Sequence, residues 1–238
     1  MKIKKVVYTK ENKFYWKSGD LHTQLGLVTE EELKTKQKVK NKDTEFIITN
    51  AGFLDSFEKL KRGPQIMLPK DIGPIITGTN LNKNSKVLEI GTGSGALTCF
   101  LSQFVKSIIS YEIRPDHLTI AEKNLEDFEI KNVKLINKDA ILGIKEKDFD
   151  AAIIDIKEPW LVIDNVEKVL KSSGYIVSYS PSITQSDLLV KQAEKNSNLK
   201  VIKTTETIER EWDIQGKVVH PKMRMLGHTA FLTFIRKL

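Results

Sequence analysis

The stretch "VLEIGTGSGALT" sets Gly91, Gly93, Ser94 and Gly95 directly after an apolar run and ahead of a helix-like segment. Without Cβ atoms such a loop can turn sharply and let a ligand lie against its backbone. Three carboxylates follow near the ends of later runs: Glu112 in "SIISYEI", Asp139 in "NKDA" and Asp155 in "DIKEPW". A carboxylate ending the strand after the loop can accept hydrogen bonds from both hydroxyls of a ribose, a group shared by nicotinamide cofactors and S-adenosylmethionine. The spacing of Gly91, Gly93 and Ala96 alone fits a dinucleotide enzyme as well, and a tight strand-to-helix turn with no ligand is the bland alternative. Glu89, two residues before the first glycine, argues for S-adenosylmethionine, because a negative charge suits a cationic methionine end and would not help a pyrophosphate. Asp139 is placed to take a hydrogen bond from an adenine amino group.

The elements that must hold these residues are legible from Lys86 onward. "KVLEIG", "SIISYEI", "VKLIN", "FDAAIID" and "YIVSYS" read as apolar strands separated by helix-length segments, the pattern of βαβ crossovers and a parallel sheet. "PDHLTIAEKNLEDF" reads as a helix opening on Pro115, where a first-turn proline is tolerated. Between "LKVIKTTETIE" and "HTAFLTFIR" no helical pattern appears, so the last two strands are expected to pair antiparallel. Residues up to about Asn50 alternate short β-like pieces with turns, then pass into "TEEELKTKQKVKNKDTE", expected to be a linker or an exposed helix.

Composition bounds the partners. Lys and Arg exceed Asp and Glu by 38 − 31 = 7, and the pI is near 9.2, which suits an anionic partner such as nucleic acid without proving one. Eleven Lys and seven acids fall in the first 50 residues, so +4 of that charge sits there, as a solvated face or an RNA-contacting surface. The single Cys99 excludes an internal disulfide framework and cysteine-cluster metal sites. "MKIKKVVYTK" lacks the apolar core of a signal peptide, and no run approaches the ~18 apolar residues of a membrane span, so a cytoplasmic, membrane-free setting is expected. His22, His117, His220 and His228 lack a second ligand at metal spacing, and His228 in "GHTAFL" reads as structural.

With its glycine loop, Glu112 and Asp139, the chain resembles the class I S-adenosylmethionine-dependent methyltransferases. "RGPQIMLPKDIG", "DIKEPW", "YSPSITQ" and "REWDIQGKVVHPKMRMLGHTAFL", in that order, narrow the resemblance to the tRNA (adenine-N1)-methyltransferases that modify adenosine 58 of the T-loop, some archaeal members also acting at 57. The resemblance implies an α/β fold: a Rossmann-like, mostly parallel sheet with a terminal antiparallel strand pair over residues 53–238, preceded by a small N-terminal β domain over 1–52. It also implies S-adenosylmethionine as cofactor, tRNA as partner and a homotetramer.

Matched residue by residue, the resemblance assigns cofactor contacts to Gln65, Glu89, the loop from Gly91 through Gly93 and Ser94 to Gly95, Glu112 and Asp139. Pro69 to Asp71 match a stretch lining the cofactor entrance. Asp155 matches the catalytic, adenine-binding carboxylate, and Tyr179 an aromatic beside the target base. Leu68 departs from a position that is often Tyr. Trp160 either shields the adenine pocket or packs under it, Tyr179 could equally pack against a neighbouring strand, and Asp155 could be a mere cap or turn residue. No metal is implied. A class I methyltransferase with a non-RNA substrate and a non-catalytic tRNA-binding subunit are the alternative functions.

Overall fold

A computed structural model describes residues 2–63 and 65–238; Pro64, inside "RGPQIMLPKDIG", lies outside the described residues. The chain divides into two compact units, Met1–Lys61 with Asn124–Glu129, and Arg62–Lys123 with Ile130–Leu238.

In the first unit, strands β1 (Lys5–Tyr8), β2 (Lys13–Trp16), β3 (Leu21–Thr23) and β4 (Gly26–Val28) precede helix α1 (Glu30–Thr35), strands β5 (Lys38–Asn41) and β6 (Thr44–Asn50), and the short α2 (Phe53–Phe57). The order β2-β1-β6-β5 makes an antiparallel sheet, and β3 and β4 form a separate hairpin. Val7, Trp16, Val28, Leu33, Val39, Phe46 and Ile48 form its core. The charged stretch expected to be linker or helix is only half helix. Thr29 and Glu32 close a capping box at the start of α1, with three glutamates in the first turn complementing the helix dipole. The remainder, "KVKN", is an edge strand whose Val39 is buried while Lys38 and Lys40 face outward. One inward residue was too weak a period to read, and lysines on a sheet edge discourage pairing with other chains.

The second unit opens with α3 (Pro69–Gly78) and continues through β7 (Lys86–Ile90), α4 (Ala96–Leu101), β8 (Ser107–Glu112), α5 (Pro115–Asp127, whose end from Asn124 on is counted with the first unit), β9 (Val133–Asn137), β10 (Phe149–Ile154), α6 (Ile163–Val169), β11 (Leu170–Ser180), α7 (Ile183–Ala193), β12 (Leu199–Glu206), β13 (Trp212–Gln215), β14 (Val218–Pro221) and β15 (Phe231–Lys237). Its seven-stranded sheet runs β12-β15-β11-β10-β7-β8-β9. Neighbouring pairs from β9 to β11 are parallel, and β15 is antiparallel to both β11 and β12. The expected terminal antiparallel pair is therefore present, with β15 inserted between β11 and β12. The near-continuous apolar runs of β7 and β10 suit strands covered on both faces: Leu88, Ile90, Ala152 and Ile154 are buried in the main core with Phe149, Val162 and Ile176.

The hairpin of β13 and β14 is a further element without an expectation from the sequence. β13 and β14 pair as a hairpin around Gly216 and Lys217, with Gly216 at φ +58°. "IQGKVV" carried the signal: a two-residue loop opening on a glycine that can take positive φ, flanked by β-formers.

Candidate active site

The chain runs outward from β7 to β8 and β9, then returns to β10 on the other side of β7. Such a reversal opens a crevice at the carboxyl ends of the two diverging strands, where ligands of open α/β sheets bind. Gly91 follows β7 and Asp155 follows β10, so the glycine loop and the "DIKEPW" carboxylate emerge side by side. The backbone pins them there: Gly91 N–H donates to the Tyr111 carbonyl at 2.9 Å, and Asp155 N–H to the Ile90 carbonyl at 2.8 Å.

Beside this junction lies a cavity of about 220 Å³ lined by residues that include Gly91, Glu112, Ile113, Asp139, Ile141 and Ile156. Glu112 is buried and orients the loop, accepting from Gly93 N–H at 2.8 Å and from Arg114 N–H at 2.9 Å, one bond per carboxylate oxygen. Each oxygen keeps acceptor capacity for a further donor. Asp139 caps a 3-10 turn at Ala140–Leu142 by accepting from Ile141 N–H at 2.8 Å through Oδ1.

Glu89 lies behind the loop, only 1% exposed. Its Oε2 accepts from Thr98 at 2.5 Å and Ser110 at 2.6 Å, while its buried Oε1 has no hydrogen-bond partner among the described residues. Burial pushes this carboxyl up to about 7 against the pull of the Ser110 and Thr98 hydroxyls, and the charges of Asp155 and Glu112 add to the rise. Asp155 is half-buried, and no protein group among the described residues donates to its carboxylate. Burial first, then the Glu112 charge, raises it to about 7 as well. A buried carboxylate oxygen without a donor is costly unless a ligand supplies one, so the site fits a group bearing positive charge and N–H donors.

Tyr179 is buried near the end of β11, its hydroxyl without a hydrogen-bond partner among the described residues. Burial and the nearby Asp71 and Asp155 charges raise that phenol to about 12 against a smaller opposing pull from the neighbouring Thr229 hydroxyl, which makes no well-formed hydrogen bond to it, so it stays neutral and can donate. Trp160 is half-buried in a 3-10 turn at Pro159–Leu161, which packs against α7. Gln185 in the first turn of α7 donates to the Lys157 carbonyl at 2.7 Å, tying that helix to the Asp155 loop.

Other expected residues are placed differently. Ser94 is buried, and its hydroxyl accepts from Gly63 N–H at 3.0 Å, fixing the segment ahead of α3. Gln65 is exposed and does not line the cavity. Asp71 is buried and committed to Lys70 at 2.8 Å and Thr229 at 2.8 Å. Lys70 in turn donates to Thr229 Oγ1 and to the Thr207 carbonyl, both at 2.7 Å. The roles of Thr98, Ser110, Gln185 and Lys70 were not read from the sequence. Lys70 and Gln185 fall inside stretches that carry the family resemblance, and Ser110 is a polar residue inside an apolar strand, but no pattern marks their contacts.

The family described as tRNA methyltransferase complex GCD14 subunit matches residues 57–222. The chain belongs to this family. Consistent with that membership, it is 35% identical over 245 residues to a Methanocaldococcus jannaschii protein named tRNA (adenine(57)-N(1)/adenine(58)-N(1))-methyltransferase TrmI, covering 90% of this chain and 86% of that one. Its fold is similar to the crystal structure of the tRNA (m1A58) methyltransferase TrmI from Aquifex aeolicus, with a TM-score of 0.84 and 30% identity across 100% of this chain and 98% of that one. It is also similar to a Thermotoga maritima structure described as an S-adenosylmethionine-dependent O-methyltransferase, with a TM-score of 0.87 and 25% identity over 99% and 93% of the two chains. The family's class I fold, Rossmann-like and mostly parallel, is the one observed here. Among the described residues, no helix is long and apolar enough to cross a membrane.

Proposed function

We propose that this chain transfers a methyl group from S-adenosylmethionine to N1 of adenosine 58 in the tRNA T-loop, with adenosine 57 as a second position. The observation that carries the reading is Asp155: a carboxylate without a protein donor among the described residues, held by the backbone against the glycine loop at the sheet's switch point.

When bound, S-adenosylmethionine supplies an electrophilic methyl group on a sulfonium. Glu89 Oε1 is the acceptor left open for the methionine ammonium, the remaining acceptor capacity of Glu112 suits the ribose hydroxyls, and Asp139 suits the adenine amino group of the cofactor. Adenine N1 of the substrate already holds a lone pair, so no base is needed to expose it. As N1 is methylated, positive charge spreads to the 6-amino group and makes it a stronger hydrogen-bond donor. An ionised Asp155 accepting from that group gains more in the transition state than in the ground state, which is the condition for raising rate. Because N1 lies on the pairing edge, the adenosine must leave its stack, and Tyr179 and Trp160 supply aromatic surface for it.

The reading includes tRNA contact through the basic surface, a cytoplasmic setting and a homotetramer. In support of assembly, the β13–β14 hairpin forms its own two-stranded sheet and exposes Trp212, Ile214 at 72%, Val218 and Val219 at 62%. An isolated hairpin with an apolar face is marginal in water unless something covers it.

The test is nucleoside mass spectrometry of unmodified tRNA incubated with the protein and S-adenosylmethionine, beside an Asp155→Ala variant. A 1-methyladenosine signal that collapses in the variant supports substrate and residue together. Cofactor binding without RNA methylation, and methylation of a hydroxyl or carboxyl acceptor instead, would point to the O-methyltransferase reading that the Thermotoga structure's description suggests.

A further inference from the structure

At the carboxyl end of the sheet, three strand ends stand in register: Ser180 of β11 and Glu206 of β12 both face Phe231 of β15. His228, three residues before Phe231, folds back across all three. Its Nε2 lies 2.8 Å from the Pro181 carbonyl, its Nδ1 lies 2.9 Å from Glu206 Oε2, and its ring sits on Phe231 with centroids 4.7 Å apart. A carbonyl oxygen can only accept, and so can an ionised carboxylate, so both ring nitrogens must carry protons. The geometry therefore describes an imidazolium.

We propose that His228, as an imidazolium, is a positioning residue for the RNA face of the site: it ties the end of β11, which carries Tyr179, to the end of β12. Losing a proton would break one of the two ties, because neutral imidazole has a single N–H, and would weaken the hold on the RNA without disturbing the cofactor crevice at β7 and β10. The inference rests on the adenosine reading of the site. Its charged surroundings are few. Glu206 on β12 and the Pro181 carbonyl after β11 favour the imidazolium, and Lys70 on α3, itself paired with Asp71, opposes it. The Pro181 carbonyl first, then Glu206, outweigh desolvation and the lysine charge and hold the ring above the ordinary histidine value. Lys70 fastens the same region from below through Thr207 and Thr229, so the two cations brace one substrate-side edge.

The test has two arms. In the first, tRNA KM and kcat are measured with S-adenosylmethionine Kd across the neutral to alkaline range for wild type and His228→Gln. The expected result is a tRNA KM for wild type that rises as pH climbs past the His228 pKa. In the variant that KM should be severalfold higher at neutral pH and should have lost the alkaline rise, with cofactor Kd unchanged. A variant that keeps the wild-type tRNA KM, or one in which both constants worsen together, overturns the proposal. In the second arm, the His228 ring resonances of the wild-type protein, assigned by their contact with the Phe231 ring, are titrated by NMR. A midpoint at or below that of an unperturbed histidine overturns the proposal even if the variant does not fold. Absence of any 1-methyladenosine from wild type would sink the adenosine reading, and the titration would still decide whether the tie is charged.

Discussion

Gly91 and Asp155 are in backbone contact: a Cβ on Gly91 would lie 2.0 Å from the Asp155 carbonyl oxygen, at a φ of +93° that side chains rarely adopt. The proposed cofactor loop and the proposed catalytic loop therefore share one wall, and displacing one presses on the other. Gly91→Ala must push the backbone of Asp155 aside. We expect a stability loss of about 3 kcal/mol by urea denaturation, from backbone strain and displaced packing. S-adenosylmethionine affinity by calorimetry should fall at least tenfold. An alanine variant with native stability and affinity would show that the two loops are not coupled.

Asp155→Asn separates stability from activity. The folded-state value near 7 lies above the ordinary 3.8, so the unfolded chain gives up its proton first as pH climbs. The folded protein thus loses stability between about pH 4 and 7, and the deficit persists above 7. An amide escapes it, and at pH 8 the variant should be more stable than wild type by about 1–3 kcal/mol. Its rate of 1-methyladenosine formation should fall by about 10²–10³, the scale of removing one transition-state contact. Chemical denaturation at pH 5 and pH 8 checks the first expectation, since the advantage should shrink at the lower pH.

The same carboxylate sets the acid side of the activity profile. If ionised Asp155 is the working form, single-turnover rates should climb from pH 6 to 8 with a midpoint near 7. A rate flat across that window would remove the charge from the mechanism.

Glu112→Gln tests the loop support. The carboxylate accepts one backbone N–H on each oxygen, and an amide can accept on only one, turning its NH2 against the other donor. Cofactor Kd should weaken by about tenfold or more, equivalent to roughly 1.4 kcal/mol. The effect should appear in calorimetry without tRNA.

For the hairpin, Ile214 and Val219 face each other across β13 and β14. Replacing both with Lys should leave cofactor affinity unchanged and lower the mass seen by light scattering, if this face is the one buried between copies. An unchanged mass would clear the hairpin of that role.

Much of the candidate site is legible in the sequence because the chemistry proposed for it is local. The glycine spacing, Glu112 and Asp139 each sit at the end of one strand, where an apolar run gives way to a polar residue. Asp155 stood out for the same reason, and strand periodicity located the sheet. What stayed hidden depends on contacts between residues distant in the chain: Gly63 with Ser94, Thr98 and Ser110 with Glu89, Lys70 with Thr207 and Thr229, His228 with Pro181 and Glu206. No local period encodes such pairs. The edge strand β5 was missed for another reason, since a single buried Val39 between lysines gives no alternation to read.

The insertion of β15 between β11 and β12 orders events in biosynthesis. Among the described residues β12 hydrogen-bonds to no strand of its sheet but β15, so it has no strand partner until Phe231–Lys237 has left the ribosome. The strands that flank the cofactor crevice, β7, β8 and β10, are all complete by Ile154. A nascent chain can thus shape the cavity at the carboxyl ends of these strands while the edge proposed to meet RNA is still unbuilt, and that edge closes only when the long-range β12–β15 pairing forms.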